Sequence, residues 1–493
     1  MVYNNFVKKI IYVIIMHTKE EVDLMKKRFL KNIFSLLVLI ILSLALYEIF
    51  RLDILPKKYM IIVCVCELLL YLLGLLFYNF KKKIFVIIGI LLYIISIISN
   101  IVVFYYFGKT NDFIEEVFVK NTYKVNVTYY LVTSSNNPVN SIDEIGTDNT
   151  IYYYQYSELA DKATKELGNY NYTSVVEGFN TLTRTKDENL YFLLSNVDYN
   201  FMIDASNMID YSDYKIIKEY VVEEEYEVND NVPSSYNIYL TGFDYSGSRR
   251  DYNLLITVNT KMKKVVLTSI PRDYYIPFKT FGGAKDSLTN VGSMSSEIPK
   301  SALEDLFNTK IDYTVDVYTK SLVNVVDQLG GVEFCSNYAF YTKHDLTLGS
   351  YNDYGEKLYV RKGCYNYNGL EILAIARERV HLYDGDRGRQ DNCRKILISI
   401  GKKLSTTINL TNYVDILNSF NGLYTSNINK NVMKNLVREV IDDPNFEIIE
   451  QRVDGEDGKG PTRYGTGEVW TLEPYMDQVE AASNVINSVL KEG

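Results

Sequence analysis

A chain of 493 residues exceeds one ordinary domain, and 47% hydrophobic residues with 44 tyrosines allow more than one sizeable core. The formal net charge of -9 argues against a general nucleic-acid binder, which needs a basic surface to neutralise phosphates. Any anionic ligand must therefore meet a local basic cluster.

Near the N-terminus three apolar stretches run from Ile33 to Phe50, Met60 to Tyr78 and Ile84 to Phe107. Each is long enough for a membrane-crossing helix, which needs about 20 residues. Lys26, Lys27, Arg28 and Lys31 precede the first, and Lys81, Lys82 and Lys83 separate the second from the third. The positive-inside rule places both groups in the cytoplasm, although Arg51, Lys57 and Lys58 in the first loop oppose it. Residues 1–31 are then a cytoplasmic tail, 32–107 three spans, and everything after Gly108 extracellular. Phe6 to Met16 is too short to cross a membrane, and Met25, directly ahead of the basic cluster, is a natural start. Glu67 lies inside the second span, where an ionisable group is a functional hypothesis by default. A protonated or helix-paired glutamate is the plainer reading.

Residues 108–232 are rich in Tyr, Val, Thr and Asn, with strand-like runs at Lys124 to Thr133 and Thr150 to Tyr156. Leu159, Ala163 and Leu167 recur at helical spacing. This pattern predicts a small α+β accessory domain with no chemical motif. Glu223, Glu224, Glu225, Glu227 and Asp230, ahead of Pro233, read as a solvated linker.

From residue 233 to 493 the pattern is more regular. Ile238 and Leu240, Leu254 to Val258, and Val265 to Ile270 predict three strands. Helices are expected at Ser301 to Phe307, Ser321 to Leu329 (ended by Gly330 and Gly331), Gly369 to Ala376 and Arg389 to Leu404. Strands alternating with helices indicate a layered α/β core. The tail from Thr406 reads as helices packed on that core plus a polar loop at Asp454 to Gly467.

Charged residues gather at the ends of these elements. Asp244 ends the first strand, Asp251 follows Arg249 and Arg250 just before the second, and Arg272 and Asp273 end the third. Arg377 and Arg379 leave a helix two residues apart, which in extended chain puts them on one face. Asp386, Arg387 and Arg389 open the next helix, whose N-terminal amides favour anions. Guanidinium forks bind phosphate oxygens bidentately, and carboxylates hold a hard ion such as Mg2+ on the same oxygens. Such a set suits a pyrophosphate and phosphoryl transfer, where the protein positions groups and neutralises charge. The alternative is that each residue makes a surface ion pair. With 3 His in the chain, a histidine-based zinc or acid/base centre is not expected.

In order and spacing, Ile238 to Asp244, Arg249 to Asp251, Thr268 to Asp273, Asp286 to Gly292 and Gly330-Gly331-Val332 resemble the LytR-CpsA-Psr family. So do Asn368-Gly369, Arg377-Glu378-Arg379 and Gly385 to Arg389. The resemblance covers roughly Tyr236 to the C-terminus, and the three-span anchor with an outer domain is similar to the capsule-associated branch. It implies an α-β-α sandwich that transfers a glycan phosphate from undecaprenyl pyrophosphate to a peptidoglycan hydroxyl during wall or capsule assembly. Asp244 and Asp251 match its Mg2+-binding aspartates, and Arg249, Arg272, Arg377, Arg379 and Arg389 its pyrophosphate-binding arginines; Arg387 belongs to the same basic set. Asp273, or a metal-binding aspartate, is the candidate base.

Ser287 and Cys393 depart from the Lys and Gln usual in the family. Lys285 offers a substitute charge, and Cys393, in line with Leu397, Ile400 and Leu404, reads as packing. Outside the membrane Cys335 and Cys364 can form a disulfide or remain two buried thiols. Two other functions stay open, a sensor that binds lipid-linked glycan without turnover and a lipid-pyrophosphate hydrolase.

Overall fold

The computed structural model describes residues 28–117, 122–154, 159–175, 189–196, 199, 213–227, 231–244, 249–279, 283–291, 296–349, 355–407, 424–462 and 468–491. The segment Phe6 to Met16 and the proposed start at Met25 lie outside them. The chain divides into two compact units, Met1–Asp112 and Phe113–Gly493.

In the first unit, helices α1 (Arg28–Leu52), α2 (Lys57–Tyr78) and α3 (Lys83–Val117) are each long and apolar enough to cross a membrane. On α1 a seam of Val38, Leu42, Ala45, Ile49 and Leu52 is buried, while Ile61, Leu68, Leu72 and Leu76 of α2 face outward, as a lipid-bathed helix requires. Glu67 accepts hydrogen bonds from Ser99 Oγ at 3.1 Å, Asn100 Nδ2 at 3.0 Å and Ser96 Oγ at 3.4 Å. It therefore pairs α2 with α3. Gly74 lets α2 approach the Tyr93 ring, where a Cβ would come within 2.7 Å of it.

The second unit begins with a five-stranded sheet in the order β3-β2-β4-β1-β5. Its strands are β1 (Thr122–Ser134), β2 (Thr150–Tyr154), β3 (Asn171–Val175), β4 (Tyr191–Ser195) and β5 (Tyr214–Glu227). Both faces are apolar. Val127, Tyr129, Leu131, Tyr191 and Leu193 form one core with Val222 and with Ala163 of α4 (Ala160–Leu167). The alternate residues Val132, Phe192 and Leu194 enter the core of the following sheet, so the two sheets are fused by a shared interior. The acidic run is not the expected linker. Glu223 to Glu225 and Glu227 lie in β5, paired antiparallel with β1. Buried Val222 supplies the strand signal beside them, and charges on an edge strand discourage pairing with another chain.

The main sheet has six strands in the order β16-β11-β6-β7-β8-β17. These are β6 (Ser235–Phe243), β7 (Arg250–Asn259), β8 (Lys264–Ile270), β11 (Tyr313–Val317), β16 (Tyr424–Ser426) and β17 (Glu447–Arg452), with the short antiparallel pair β9 (Tyr275–Pro277) and β10 (Lys285–Ser287) between β8 and β11 in the chain. β6, β7 and β8 form an antiparallel meander, while β11 and β17 join in parallel. On one face Tyr239, Leu255 and Ile270 pack with Leu303 and Phe307 of α5 (Glu297–Phe307) and Val479 and Ile486 of α10 (Met476–Lys491). On the other lies α8 (Gly385–Thr407), tied to β8 by Arg394 Nη1 on Ser269 Oγ at 2.9 Å. This is an α/β fold with helices on both faces of the sheet.

A second core joins α8 to α6 (Thr319–Gln328), α7 (Gly369–Arg377) and the excursion β12 (Val332–Ser336), β13 (Phe340–Asp345), β14 (Lys357–Val360) and β15 (Gly363–Tyr367). A capping box of Asn368 with Glu371 starts α7. The tail carries the expected helices, α10 packed on the core among them, but it also supplies strands that were not expected, and a hairpin in place of the polar loop. It supplies β16, β17 and a hairpin of β18 (Gly455–Pro461) with β19 (Glu468–Pro474), around α9 (Lys430–Asp442). Gly460 belongs to that hairpin because a Cβ there would come within 2.8 Å of the Tyr275 ring, not because it marks a loop. Residues 463–467 of the expected loop lie outside the described set.

Candidate active site

Antiparallel pairing places the end of β6, the start of β7 and the end of β8 at one edge of the sheet, where the first turn of α8 also begins. Register shifts between Gly242 and Phe243: Tyr252 faces Gly242 and Arg250 faces Phe243, leaving Asp251 as the extra residue of a β-bulge.

Asp251 is the hub. Its Oδ1 accepts from Arg272 Nη1 at 2.6 Å, its Oδ2 lies 3.5 Å from Arg389 Nη1, and its carbonyl accepts from Arg389 Nη2 at 2.7 Å. Arg272 Nε also lies 3.5 Å from Asp273 Oδ2 and 3.7 Å from Asp386 Oδ1, and Arg389 Nη2 lies 2.9 Å from Asp386 Oδ1. Three carboxylates thus share two guanidinium groups in a half-buried cluster. Burial would raise the Asp251 carboxyl, but Arg272 and Arg389 outweigh it and hold it below the ordinary aspartate range. At Asp273 burial wins, reinforced by Asp386 and Asp251 against Arg272 and Arg389, and the carboxyl is raised. Among the described residues, Nε of Arg272 and Nε of Arg389 are buried without a hydrogen-bond acceptor. Two cationic N–H groups left so are suited to an incoming anion oxygen.

The remaining predicted residues surround this cluster. The Asp244 amide donates to Arg249 O at 2.9 Å and its Oδ1 accepts from Arg249 N at 3.3 Å, closing the β6–β7 turn. Arg377 ends α7 and donates to the carbonyls of Thr347 at 3.3 Å, Gly349 at 3.1 Å and Leu348 at 3.2 Å. Arg379 is exposed and close enough to help lower the Asp251 carboxyl. Between them Glu378 is fully buried and accepts from Lys343 N of β13 and, at 2.8 Å, from His381 N. Arg387 is directed elsewhere. Its Nε binds Asp454 Oδ1 at 2.6 Å, and its Nη2 binds Gly455 O and Asp457 Oδ1, each at 3.2 Å, tying α8 to β18.

Asp286 is buried and holds Ser287 N, Asn290 and Thr462, while Lys285 pairs with Glu473. The Cys393 thiol donates to Ala376 O at 3.4 Å, and burial pushes its pKa up to about 12, which fits packing. Cys335 and Cys364 face each other across β12 and β15 and are joined by a disulfide.

Sequence reasoning did not single out Asp316. It lies 2.9 Å from Arg250 Nη2 and is buried on β11. The available signal was an acid inside an alternating apolar strand, which needs a partner to be tolerated there.

The family model described as LytR_cpsA_psr family matches residues 199–482. A protein from Staphylococcus aureus, uncharacterized, is 28% identical over 256 residues, covering 51% of this chain and 58% of that one. The polyisoprenyl-teichoic acid--peptidoglycan teichoic acid transferase TagU of Bacillus cereus is 30% identical over 207 residues, covering 41% and 61%. The chain thus spans about three fifths of the length of these relatives. The crystal structure of TagV from Bacillus subtilis is 22% identical, with a TM-score of 0.44, over 53% of this chain and 98% of that one.

Proposed function

Because the chain belongs to the LytR-CpsA-Psr family, we propose that it is a phosphotransferase moving a glycopolymer from an undecaprenyl-pyrophosphate carrier to peptidoglycan at the outer membrane face. The observation that carries the reading is the convergence of Arg272 and Arg389, whose Nε–H groups make no hydrogen bond among the described residues, with the Asp251, Asp273 and Asp386 carboxylates.

Arg272 and Arg389 hold pyrophosphate oxygens, and Arg377 and Arg379 add cations at the exposed rim. The acceptor hydroxyl oxygen forms a bond to the glycan-bearing phosphorus, the bond to the lipid phosphate oxygen breaks, and lipid phosphate leaves. Asp273, whose raised carboxyl suits a proton acceptor, takes the hydroxyl proton. Asp244 and Asp251 offer hard oxygen donors for Mg2+. Among the described residues no three carboxylates converge here within 4.8 Å. Mg2+ is usually held by one or two carboxylates and completed by phosphate oxygens and water. When bound, the ion neutralises charge on the pyrophosphate. Three apolar helices, with basic residues before the first and between the second and third, support a multi-pass anchor with the second unit extracellular.

The test is the full chain in detergent with a short undecaprenyl-pyrophosphate glycan, Mg2+ and peptidoglycan oligomers, followed by mass spectrometry beside Asp251→Ala and Arg377→Ala variants. The expected product is a Mg2+-dependent glycan-phosphate adduct on peptidoglycan, lost in both. Free glycan phosphate without adduct would instead mark a hydrolase, and lipid binding without lipid phosphate release a sensor.

A further inference from the structure

Arg250 adjoins Asp251 but takes no part in the site. Only 5% exposed, it reaches Asp316 with Nε on Oδ1 at 3.2 Å and Nη2 on Oδ2 at 2.9 Å. Its guanidinium carbon lies 4.7 Å over the Phe243 ring, and that ring stacks on Tyr318 at 5.0 Å and 6°. Asp316 in turn accepts from the Thr241 hydroxyl, its register partner across β6 and β11. Arg250 is thus held at both carboxylate oxygens and on a ring face, at the residue that opens the bulge.

A buried ion pair is weak evidence for stability, because desolvation of both charges offsets their attraction. Its better-attested use is to fix one arrangement among several. A bulge is such a choice: without a fixed residue beside it, β7 can pair with β6 in regular register, which turns successive side chains to opposite faces. We infer that Arg250, Asp316 and Thr241 form a positioning lock that holds the β6–β7 bulge and so sets Asp251 against Arg272, Arg389 and its metal. The metal part rests on the function proposed above; the ion-pair part does not. Lysine cannot replace Arg250, since one ammonium has neither the planar fork nor the stacking face.

The experiment uses the full chain in detergent. Coupling between Asp251 and Arg272 is measured from the melting of Asp251→Asn, Arg272→Met and the double variant, first in the parent background and then with Arg250→Met/Asp316→Leu. Replacing both partners with apolar groups keeps the fold where removing one would not. The expected result is near-parent melting with the Asp251–Arg272 coupling reduced to less than half. The Mg2+ concentration for half-maximal melting shift should rise at least about 10-fold, a typical consequence of losing a residue that orients a metal ligand. Coupling equal to the parent's overturns the lock. Coupling lost while Asp251→Asn alone leaves the Mg2+ shift unchanged keeps the lock and overturns the metal assignment. If the apolar pair does not fold, Thr241→Val is read the same way, with a smaller loss of coupling expected and none overturning the lock.

Discussion

Arg272→Met separates the electrostatic account of the site from a packing account. The parent guanidinium lies 2.6 Å from Asp251, 3.5 Å from Asp273 and 3.7 Å from Asp386. Methionine fills much of the space but leaves three carboxylates with Arg389 and, more distantly, Arg379. Breaking a fully buried pair costs about 3–5 kcal/mol. Here the Arg272 and Asp251 side chains are 17% and 25% exposed, so solvent screening reduces the figure to about 2–3 kcal/mol. For a unit of this size, Phe113–Gly493, that is a fall in Tm of about 2.5–4 °C at pH 7. The deficit must shrink on acidification. Parent Asp251, held low, contributes stability that is present above about pH 3.9 and lost as pH falls through its folded value. The variant lacks that contribution, and its freed carboxyls regain stability by protonating. Melting of parent and variant at pH 7 and at about pH 3, below the ordinary aspartate value, by circular dichroism is the assay. Equal deficits at both pH values, or none at pH 7, would refute the reasoning; transfer should fall about 100- to 1000-fold in either buffer.

Asp273→Asn should act in the opposite sense on stability. The raised carboxyl contributes stability below its ordinary value, lost as pH rises through the folded one. The variant should therefore gain about 0.5–1 kcal/mol at pH 7 while turnover drops about 100-fold or more, as a calorimetric scan beside the transfer assay would record. Arg377→Ala, at an exposed guanidinium on loop carbonyls, should leave stability within about 0.5 kcal/mol yet lower transfer. Glu378→Ala should cost about 2–4 kcal/mol in urea melts, because two backbone amides lose a charged acceptor. Replacing Cys335 and Cys364 with serine should cost about 3–4 kcal/mol from their separation of 29 residues, with reductant reproducing the effect in the parent.

What the sequence revealed was local. Val265 to Ile270, Leu254 to Val258 and the Leu322–Leu329 stripe each carry their own periodicity, and β7, β8 and α6 follow it. What it hid depends on distant partners. Glu223 to Glu227 read as a linker because charge outweighs the alternation of Val222 with its neighbours, yet thirteen register pairs with β1 make them a strand. β17 takes its place from parallel pairing with β8, nearly two hundred residues earlier, and its exposed pattern resembles a surface segment. The β18–β19 hairpin was obscured by glycines whose cause, the Tyr275 ring at Gly460, lies in another part of the chain.

The same distinction divides the site. Asp251, Arg272 and Asp273 sit at strand ends that a meander must bring to one edge, so their convergence follows from topology alone. Arg387 shares the helix turn of Asp386 and Arg389 and looks equivalent in sequence, but Asp454 and Asp457 of the tail draw it away. Arg250 stands between Arg249 and Asp251 and is claimed by Asp316 on a strand 66 residues later. Arginines that look equivalent in sequence, Arg387 beside Arg389 and Arg250 beside Asp251, thus have different employments, decided by which acid each meets. A cluster of like residues locates an anion site, and only the distant acids reveal which members remain available to the anion. The lock at Arg250 sharpens the point: its pairing with Asp316 holds the bulge that sets the next residue, Asp251, against Arg272 and Arg389.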